Sequence, residues 1–292
     1  MRLGLERVCV MLIFDLFDLD DKIEIMDVGA SAIAEVPIYK VLLEKRMALL
    51  TAFDGDARQI TAIENAYGKD FVTVLNYFLF DGGKHDVYLC APASGMSSLF
   101  KPKVEALSFF NGFSKFGEVQ SIENIQTTRL DDIENVKSPD FLKMDVQGAE
   151  LEIIKNGKNK LKDCLAIQLE VSYFNLYEKQ PSFGEVDVYL RELGFIPHMF
   201  LDVKRWSIAP TVFNGNFRVP GNQLLESDVV YVKNPLSLAE LNVIQLKKLA
   251  ILAHYSFKSF DFCVRLLIEL ERREVCDVNS HKQYLLNIKN FD

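Results

Sequence analysis

Short apolar runs alternate with segments of helical periodicity along most of this 292-residue sequence. Such alternation is typical of a parallel β-sheet whose strands are buried between two layers of helices. Helical periodicity is found around residues 36–46, 57–67 and 183–193, and from residue 149 onwards. The apolar runs, each long enough for one strand, are residues 23–28, 48–53, 71–76, 141–146, 165–171 and 228–232. The sequence therefore predicts an α/β fold: a doubly wound, Rossmann-like sheet with helices on both faces.

The pattern changes after Pro235, where the strand signals end. Residues 238–253 and 260–272 have helical periodicity only. We therefore predict a first domain at residues 1–234 and a C-terminal helical appendix at residues 235–292, packed on the main domain or forming a dimer surface. Residues 195–227 are rich in Pro, Gly and Asn, and we expect them to form loops and a hairpin.

Composition and charge exclude several classes of protein. The formal net charge is −8 at pH 7, which argues against a nucleic-acid partner, because such partners require a basic face. The five cysteines are scattered without metal-ligand spacing, so we expect reduced thiols and no metal site. No apolar stretch approaches the roughly 20 residues that cross a bilayer. We expect a cytoplasmic protein whose partner is not a nucleic acid, with a homodimer left open.

The first strand runs into a turn of small residues, Asp27-Val28-Gly29-Ala30-Ser31. In open α/β sheets a ligand binds at the carboxyl ends of the strands, and a glycine lets the backbone approach it closely. A dinucleotide requires G-x-G-x-x-G to seat its pyrophosphate, whereas this turn reads G-A-S-A-I-A from Gly29. S-adenosylmethionine has no phosphate, so the turn favours it over a nicotinamide cofactor. The alternative is an ordinary tight turn.

Polar residues also end the second and third strands. Asp54 follows the second strand at the position where an acidic side chain hydrogen-bonds a ribose in this architecture. Asn76 ends the third strand on the same edge, and we include it in the cofactor-binding set. The alternative for Asp54 is that it begins a turn or caps the next helix.

The fourth strand carries two charges on one face. Side chains alternate along a strand, so Lys143 and Asp145 point the same way. Charges at a central strand are costly to bury unless they are paired or belong to a site. The alternative to a site is a structural ion pair at the junction with the following helix, which Gly148 opens.

Four segments resemble the FkbM family of methyltransferases over roughly residues 23–233. They read I-M-D-V-G-A (25–30), T-T-R-L-D-D-I (127–133), F-L-K-M-D-V-Q-G-A-E-L-E-I-I-K-N-G (141–157) and Q-L-E-V-S-Y-F-N-L-Y (168–177). The resemblance implies a class I methyltransferase that uses S-adenosylmethionine and methylates a hydroxyl of a sugar, glycan or natural product. It also implies that Asp27, Gly29 and Ala30 hold the methionine end, that Asp54 holds the ribose, and that Asp145 lies beside the reacting centre.

The first turn departs from the family pattern D-V-G-A-N-x-G. Ser31 and Ile33 stand where the family has Asn and a second Gly. Ser31 is nevertheless in the predicted cofactor-binding set, because it belongs to the turn. The departure supports an alternative function, a cofactor-binding or scaffold protein whose active site has decayed. An NAD(P)-dependent oxidoreductase is a further alternative.

Methyl transfer to oxygen is a direct displacement, which requires alignment of donor and acceptor and removal of one proton. The candidate bases are Asp145 and Glu170, which end neighbouring strands at one edge of the sheet. Lys143 completes the predicted catalytic set, because its charge can tune Asp145 or lower the pKa of the acceptor.

Overall fold

The computed structural model describes residues 21–30, 36–54, 62–65, 67–91 and 94–288. Seven strands form one sheet in the order β3-β2-β1-β6-β7-β9-β8, and β4 pairs with β5 separately. The nine strands found among these residues are Ile23–Val28 (β1), Ala48–Phe53 (β2), Val72–Leu75 (β3), Lys84–Leu89 (β4), Ser121–Gln126 (β5), Phe141–Met144 (β6), Ala166–Ser172 (β7), Phe195–Trp206 (β8) and Gln223–Lys233 (β9).

The sheet is doubly wound, as the sequence predicted. Strands β3, β2, β1, β6 and β7 run parallel to one another, whereas β9 is antiparallel to both β7 and β8. The chain proceeds outward from β1 to β2 and β3, then returns to place β6 on the other side of β1. The order therefore reverses between β1 and β6, and this switch point is where α/β sheets of this kind bind ligands.

Helices cover both faces of the sheet. They are Lys40–Glu44 (α1), Val104–Phe109 (α2), Phe113–Phe116 (α3), Glu150–Lys155 (α4), Phe183–Glu192 (α5), Val243–Ile251 (α6), Phe260–Arg272 (α7) and Ser280–Ile288 (α8). One face packs against α1 and the three helices α6 to α8. The opposite face packs against α4 and α5. The predicted Rossmann-like fold with a C-terminal helical region is confirmed.

Strand β1 shows how the side chains of a central strand are divided between the two cores. Ile23 and Ile25 belong to the core on the α6–α8 side, while Met26 and Val28 belong to the core on the α4–α5 side. All four side chains are almost completely buried. A strand that is covered on both faces cannot alternate between apolar and polar residues.

The C-terminal helices share a hydrophobic core with the sheet. Leu246, Leu266 and Tyr284 are fully buried in the cluster that contains β1 and β2 side chains. Lys248 Nζ lies 2.7 Å from Asp140 Oδ2, just before β6, and joins α6 to the sheet. The division into domains at residue 234 stays a prediction. No helix among the described residues combines the length and the hydropathy that a bilayer crossing requires.

The expectation of loops at residues 195–227 is wrong for a large part of that segment. Phe195–Trp206 is the 12-residue strand β8, and β9 begins at Gln223. Strands β8 and β9 therefore form one long hairpin, and β9 extends well beyond the apolar run 228–232 that predicted a strand. The predicted fourth strand, in contrast, ends early, at Met144, so Asp145 lies in the turn that follows it.

Candidate active site at the switch point

Gly29 lies where the end of β1 meets the end of β6. Its φ angle is +79°, and a Cβ atom placed on it would stand 2.1 Å from the Asp145 carbonyl oxygen. The Asp145 amide N–H donates a hydrogen bond to the Val28 carbonyl, 3.0 Å between N and O. We expected this glycine to allow close approach of a ligand. The structure shows that it allows close approach of the β6 backbone, and that it also lines two cavities.

Asp27 is buried at the end of β1, with only 3 % of its surface exposed. Tyr39 donates a hydrogen bond to Asp27 Oδ2, and Lys143 Nζ lies 3.5 Å from Oδ1. Asp27 and Lys143 are direct partners in the β1–β6 register. Burial raises the pKa of Asp27, and Lys143 and Tyr39 oppose that rise. The ion pair at this junction thus joins Lys143 to Asp27, which corrects the predicted alternative of a Lys143–Asp145 pair.

Lys143 is surrounded by carboxylates. Burial disfavours its ammonium form, but Asp27, Asp145 and Asp228 together raise the pKa of Lys143 above its usual value. The side chain is therefore a fixed cation at neutral pH. Asp145 itself is exposed, and Gln147 Nε2 donates to its Oδ1 over 3.1 Å.

A cavity of about 310 Å³ opens on the α1 side of the sheet edge, and we call it the acidic cavity. It brings together six of the predicted site residues: Asp27, Gly29, Ala30, Lys143, Asp145 and Glu170. Three further charged residues that the sequence did not indicate also line it: Asp202, Lys204 and Asp228. Ser31 and Ile33 lie outside the described residues.

Glu170 is buried at the carboxyl end of β7, in contrast to exposed Asp145. Lys204 Nζ lies 3.5 Å from Glu170 Oε2 and 2.9 Å from Glu226 Oε1. Burial, together with the nearby charges of Glu226 and Asp145, raises the pKa of Glu170 well above its usual value, and Lys204 opposes the rise. The two candidate bases therefore have different environments, one screened by water and one held in a crowded acidic pocket.

Gln168 lies two residues before Glu170 and lines the same cavity. Its side chain is 6 % exposed, and its Oε1 atom is buried without a hydrogen-bond partner. Buried amide oxygens almost always accept a hydrogen bond in folded proteins. Gln168 is thus a further functional candidate that sequence reasoning missed, because a glutamine inside an apolar run carries no distinctive signal.

A larger cavity of about 660 Å³ lies on the other side of Gly29, and we call it the hairpin cavity. Strands β4 and β5 form one of its walls, and the ends of β1 and β2 form another. Asp54 lines it, together with the aromatic side chains Phe53, Tyr77 and Phe78 and the hydroxyls of Ser97, Ser98 and Ser121. Asn76 follows β3 immediately before Tyr77 and is exposed. The sequence indicated Asp54, but it gave no sign that Ser97 and Ser98 would stand opposite.

The turn after β6 separates the two cavities and is held by three side chains. Gln147 and Gly148 have φ angles of 55° and 103°. Glu150 Oε1 accepts hydrogen bonds from Val146 N at 3.1 Å and Gly148 N at 3.3 Å. Ser98 Oγ donates to the Gln147 carbonyl over 2.7 Å, and Tyr177 Oη donates to Gln147 Oε1 over 3.2 Å.

Glu150 is fully buried beneath this turn, where burial raises its pKa to about 7. The sequence placed Glu150 at the start of a helix. The structure confirms that position, at the start of α4, and shows that the Glu150 side chain also anchors the turn. Among the described residues, no group of three or more His, Cys, Asp or Glu side chains has a geometry that would hold a metal ion.

Solved structures that match this chain show low sequence identity and low structural similarity to it. A precorrin-6y C5,15-methyltransferase from Geobacter metallireducens is 13 % identical over 78 % of this chain and 87 % of its own, with a TM-score of 0.36. An uncharacterized protein from Listeria monocytogenes is 9 % identical over 98 % and 97 %, with a TM-score of 0.37. A SAM-dependent methyltransferase from Agrobacterium tumefaciens is 9 % identical over 78 % and 61 %, with a TM-score of 0.35.

No curated protein sequence matches the chain. The family model of the methyltransferase FkbM domain, however, matches residues 38–197, more than half of the 292 residues. This match includes the T-T-R-L-D-D-I, D-V-Q-G-A-E and Q-L-E-V-S-Y segments that carried the resemblance, and it begins after the divergent first turn. The chain belongs to the FkbM family of methyltransferases.

Proposed function

We propose that this protein transfers a methyl group from S-adenosylmethionine to a hydroxyl oxygen of a sugar, a glycan or a natural product. The observation that carries the proposal is the meeting of two unlike cavities at Gly29. One has the lining that an adenosine requires, and the other collects the charged groups that a proton transfer requires. Their common wall is the turn after β6, which holds Asp145.

The hairpin cavity suits the adenosine end of the cofactor. Asp54 supplies a carboxylate for the ribose hydroxyls, and Phe53, Tyr77 and Phe78 supply apolar and aromatic surface. Its volume lies within the usual range for a small-molecule site, about 300–1,000 Å³. No Lys or Arg occurs among the described residues that line it, which suits a cofactor without phosphates. Together with the family, this leaves the NAD(P)-dependent alternative without support.

The β1 wall of the acidic cavity suits the methionine end. Asp27 and Ala30 line it beside Gly29, and a carboxylate complements the ammonium of an amino acid. S-adenosylmethionine supplies a methyl group that its sulfonium already activates. Asp27 itself is held in place by Tyr39 and Lys143, so it offers a preorganised charge.

Asp145 is the better of the two candidate bases. It is exposed at the mouth of the cavity, so its carboxylate is accessible to an acceptor hydroxyl. Glu170 is buried with a raised pKa, which keeps it protonated over a wider range and suits binding more than proton removal. Lys143 stays cationic. It can stabilise the negative charge that develops on a deprotonating hydroxyl.

Calorimetric titration with S-adenosylmethionine and S-adenosylhomocysteine tests the cofactor. We expect micromolar binding to the wild type, and a loss of about tenfold or more in Asp54→Asn, because a charged hydrogen bond is worth roughly 1.5–3 kcal/mol. Asp86→Asn is the matched control, since Asp86 lies on β4 and its Oδ1 accepts from Asn124 Nδ2 over 3.0 Å, outside the cavity lining.

Failure of the wild type to bind either ligand would favour the decayed, scaffold-type alternative. With binding established, methyl transfer from radiolabelled S-adenosylmethionine to a panel of hydroxyl acceptors tests the reaction. Asp145→Asn should lower turnover by roughly 10²–10⁴-fold, the usual contribution of a general base. It should leave the affinity for S-adenosylhomocysteine within about twofold of the wild type.

A further inference from the structure

A chain of two hydrogen bonds leads from the protein interior to Asp145, the candidate base. Gln147 Nε2 donates to Asp145 Oδ1 over 3.1 Å, and Tyr177 Oη donates to Gln147 Oε1 over 3.2 Å. Among the described residues that line the two cavities, Asp145 is present but Gln147 and Tyr177 are not. These two side chains can therefore affect the reaction through Asp145 without touching a bound ligand.

The backbone of Gln147 is fixed in an unusual conformation. Its φ angle is 55°, in the left-handed region that few residues other than glycine adopt. Ser98 Oγ donates to the Gln147 carbonyl over 2.7 Å, and the flanking Val146 and Gly148 amides donate to Glu150 Oε1. Backbone conformations of this kind persist where the surroundings hold them, and they cluster at functional sites. The side-chain amide is the part of Gln147 that can reorient without disturbing the turn.

Tyr177 supplies one hydrogen to two acceptors. Its side chain is buried, and burial raises its pKa well above the usual value, so the hydroxyl keeps its proton at any working pH. Tyr177 Oη lies 3.2 Å from the Met96 carbonyl oxygen and 3.2 Å from Gln147 Oε1. A phenol has a single O–H donor. It therefore cannot serve both acceptors at full strength while Gln147 Oε1 faces it.

Reversing the amide of Gln147 removes this shortage. A half-turn exchanges Oε1 and Nε2 and leaves the other heavy atoms in place. Nε2 then donates to Tyr177 Oη, and the Tyr177 hydrogen is left for the Met96 carbonyl. Oε1 now faces Asp145 Oδ1, a contact that is favourable only if Asp145 carries a proton. The two orientations of the amide thus match the ionised and the protonated forms of Asp145.

We propose that Gln147 is a positioning residue for methyl transfer, and that its amide reverses when Asp145 takes up the proton of the acceptor. Before transfer the amide donates to the Asp145 carboxylate and orients it. The acceptor hydroxyl then gives its proton to Asp145 as its oxygen gains the methyl group that the sulfonium gives up. The reversed amide accepts from protonated Asp145 until the proton passes to water. This inference rests on the proposed function, because it concerns the base of that reaction.

The orientation of the amide can be measured by NMR in the full-length protein without a ligand. The Nε2 hydrogens of Gln147 approach the Tyr177 ring only in the reversed orientation, so nuclear Overhauser contacts between them report it. At neutral pH we expect weak contacts in the wild type and strong contacts in Asp145→Ala, which removes the carboxylate that holds the amide. Gln147→Leu identifies the signals by their loss.

Asp86→Ala is the matched control for Asp145→Ala. Asp86 also accepts from a side-chain amide, that of Asn124 over 3.0 Å, but on the β4–β5 hairpin and outside the cavity lining. Its variant should leave the contacts between Gln147 and Tyr177 weak. Strong contacts in the wild type would overturn the inference, because the amide would then not donate to Asp145. Contacts that stay weak in Asp145→Ala would overturn it as well.

Kinetics with a hydroxyl acceptor of the panel give a second measurement. Gln147→Leu should lower kcat about tenfold or more and leave KM and the affinity for S-adenosylhomocysteine within about twofold. Tyr177→Phe should lower kcat about threefold. The double variant should be no slower than Gln147→Leu alone, because Tyr177 acts through Gln147. Tyr173→Phe is the control, since it removes a hydroxyl that donates to Ser227 Oγ.

A double variant in which the two losses of kcat multiply would overturn the inference, because independent structural damage gives that result. An equal loss of kcat in Tyr173→Phe would do the same. Failure of the wild type to bind S-adenosylhomocysteine, or to methylate any acceptor, is a separate outcome that contradicts the proposed function. The NMR contacts, which require neither ligand nor turnover, then still decide whether Gln147 reverses in response to Asp145.

Discussion

The two cavities beside Gly29 share one residue and one separating turn, yet their chemistry is opposite. The hairpin cavity is lined mainly by aromatic rings, aliphatic side chains and serine hydroxyls, with two carboxylates, Asp54 after β2 and Glu123 on β5. The acidic cavity is lined by five carboxylates and two lysines. The difference arises from the strands involved: β1 and β2 approach the first cavity with apolar residues, whereas β7, β8 and β9 bring charged residues to the second.

This contrast shows how one edge of a sheet can supply two different environments for the same reaction. A nucleoside is recognised mainly by shape and apolar contact, with a few polar groups that fix its orientation. Proton transfer requires charges whose pKa values are set by their surroundings. The switch point between β1 and β6 places both environments within reach of a single turn.

Gly29→Ala should have the largest effect, because it damages both cavities at once. The new Cβ would stand 2.1 Å from the Asp145 carbonyl oxygen, in a backbone conformation with φ of +79°. We expect the free energy of unfolding to fall by roughly 4 kcal/mol and S-adenosylhomocysteine binding to be lost. Urea unfolding and calorimetry measure the two effects.

Gly68→Ala is the control for that substitution. Gly68 has a similar φ of +87°, but nothing lies within 4 Å of its added Cβ. The variant should lose only the conformational cost, about 1–2 kcal/mol, and keep its ligand affinity. Equal losses in the two variants would mean that the contact with Asp145 does not matter.

Lys143→Met should have the next largest effect and should act on the acidic cavity alone. It leaves Asp27, which is 3 % exposed, as a buried carboxylate without its cation. Removing one partner of a buried pair usually costs about 3–5 kcal/mol, and we expect about 3 kcal/mol because the Lys143–Asp27 distance is 3.5 Å. The loss should shrink at acid pH, where Asp27 is protonated, and denaturant unfolding at two pH values measures it.

Lys204→Met offers the matched comparison within the same cavity. Its side chain is 39 % exposed, so water can partly replace it beside Glu170 and Glu226. The loss should be about 1 kcal/mol after allowance for solvent screening. A larger loss than in Lys143→Met would show that the pairing of Lys204 with Glu170 and Glu226 contributes more to stability than the buried pair of Lys143 with Asp27.

The same contrast explains how much could be predicted from sequence. Strands β1 and β2 are buried on both faces, so they read as largely apolar runs, and Asp27 and Asp54 stand out because they lie near or just after the carboxyl ends of these runs. Asp145 was found for the same reason. The fold class and the site residues Asp27, Asp54 and Asp145 could thus be predicted from the sequence alone.

The residues that β8 brings to the acidic cavity could not be predicted, because β8 is an edge strand. Phe195 is its one buried side chain and the others are half-buried or exposed, it contains Pro197, and its pairing with β9 shifts register at three places. Asp202 and Lys204 therefore looked like loop residues. Their position beside Glu170 depends on how β8 pairs with β9 and on the helices that cover that face. Local sequence periodicity predicts neither of these.

Glu150→Gln changes no residue that lines either cavity and tests the turn that divides them. Burial raises the pKa of Glu150 to about 7 in the folded protein, from the ordinary 4.5 of a glutamic acid. Between these values the folded state binds more protons than the unfolded state, so wild-type stability should fall as the pH rises from about 5 to 8. Where the folded state binds one proton more than the unfolded state, the free energy of unfolding changes by about 1.4 kcal/mol per pH unit. The total fall should be roughly 2–3 kcal/mol.

In Glu150→Gln this slope should disappear, because the amide does not titrate while its oxygen still accepts from Val146 or Gly148. Urea unfolding of both proteins at pH 5 and pH 8 isolates the contribution as a difference of differences. Glu185→Gln, at the exposed capping box of α5, is the control, since hydrogen bonds from Ser182 lower the pKa of that carboxyl. An unchanged slope in Glu150→Gln would mean that Glu150 stays ionised under the turn, and that both cavities border a fixed negative charge.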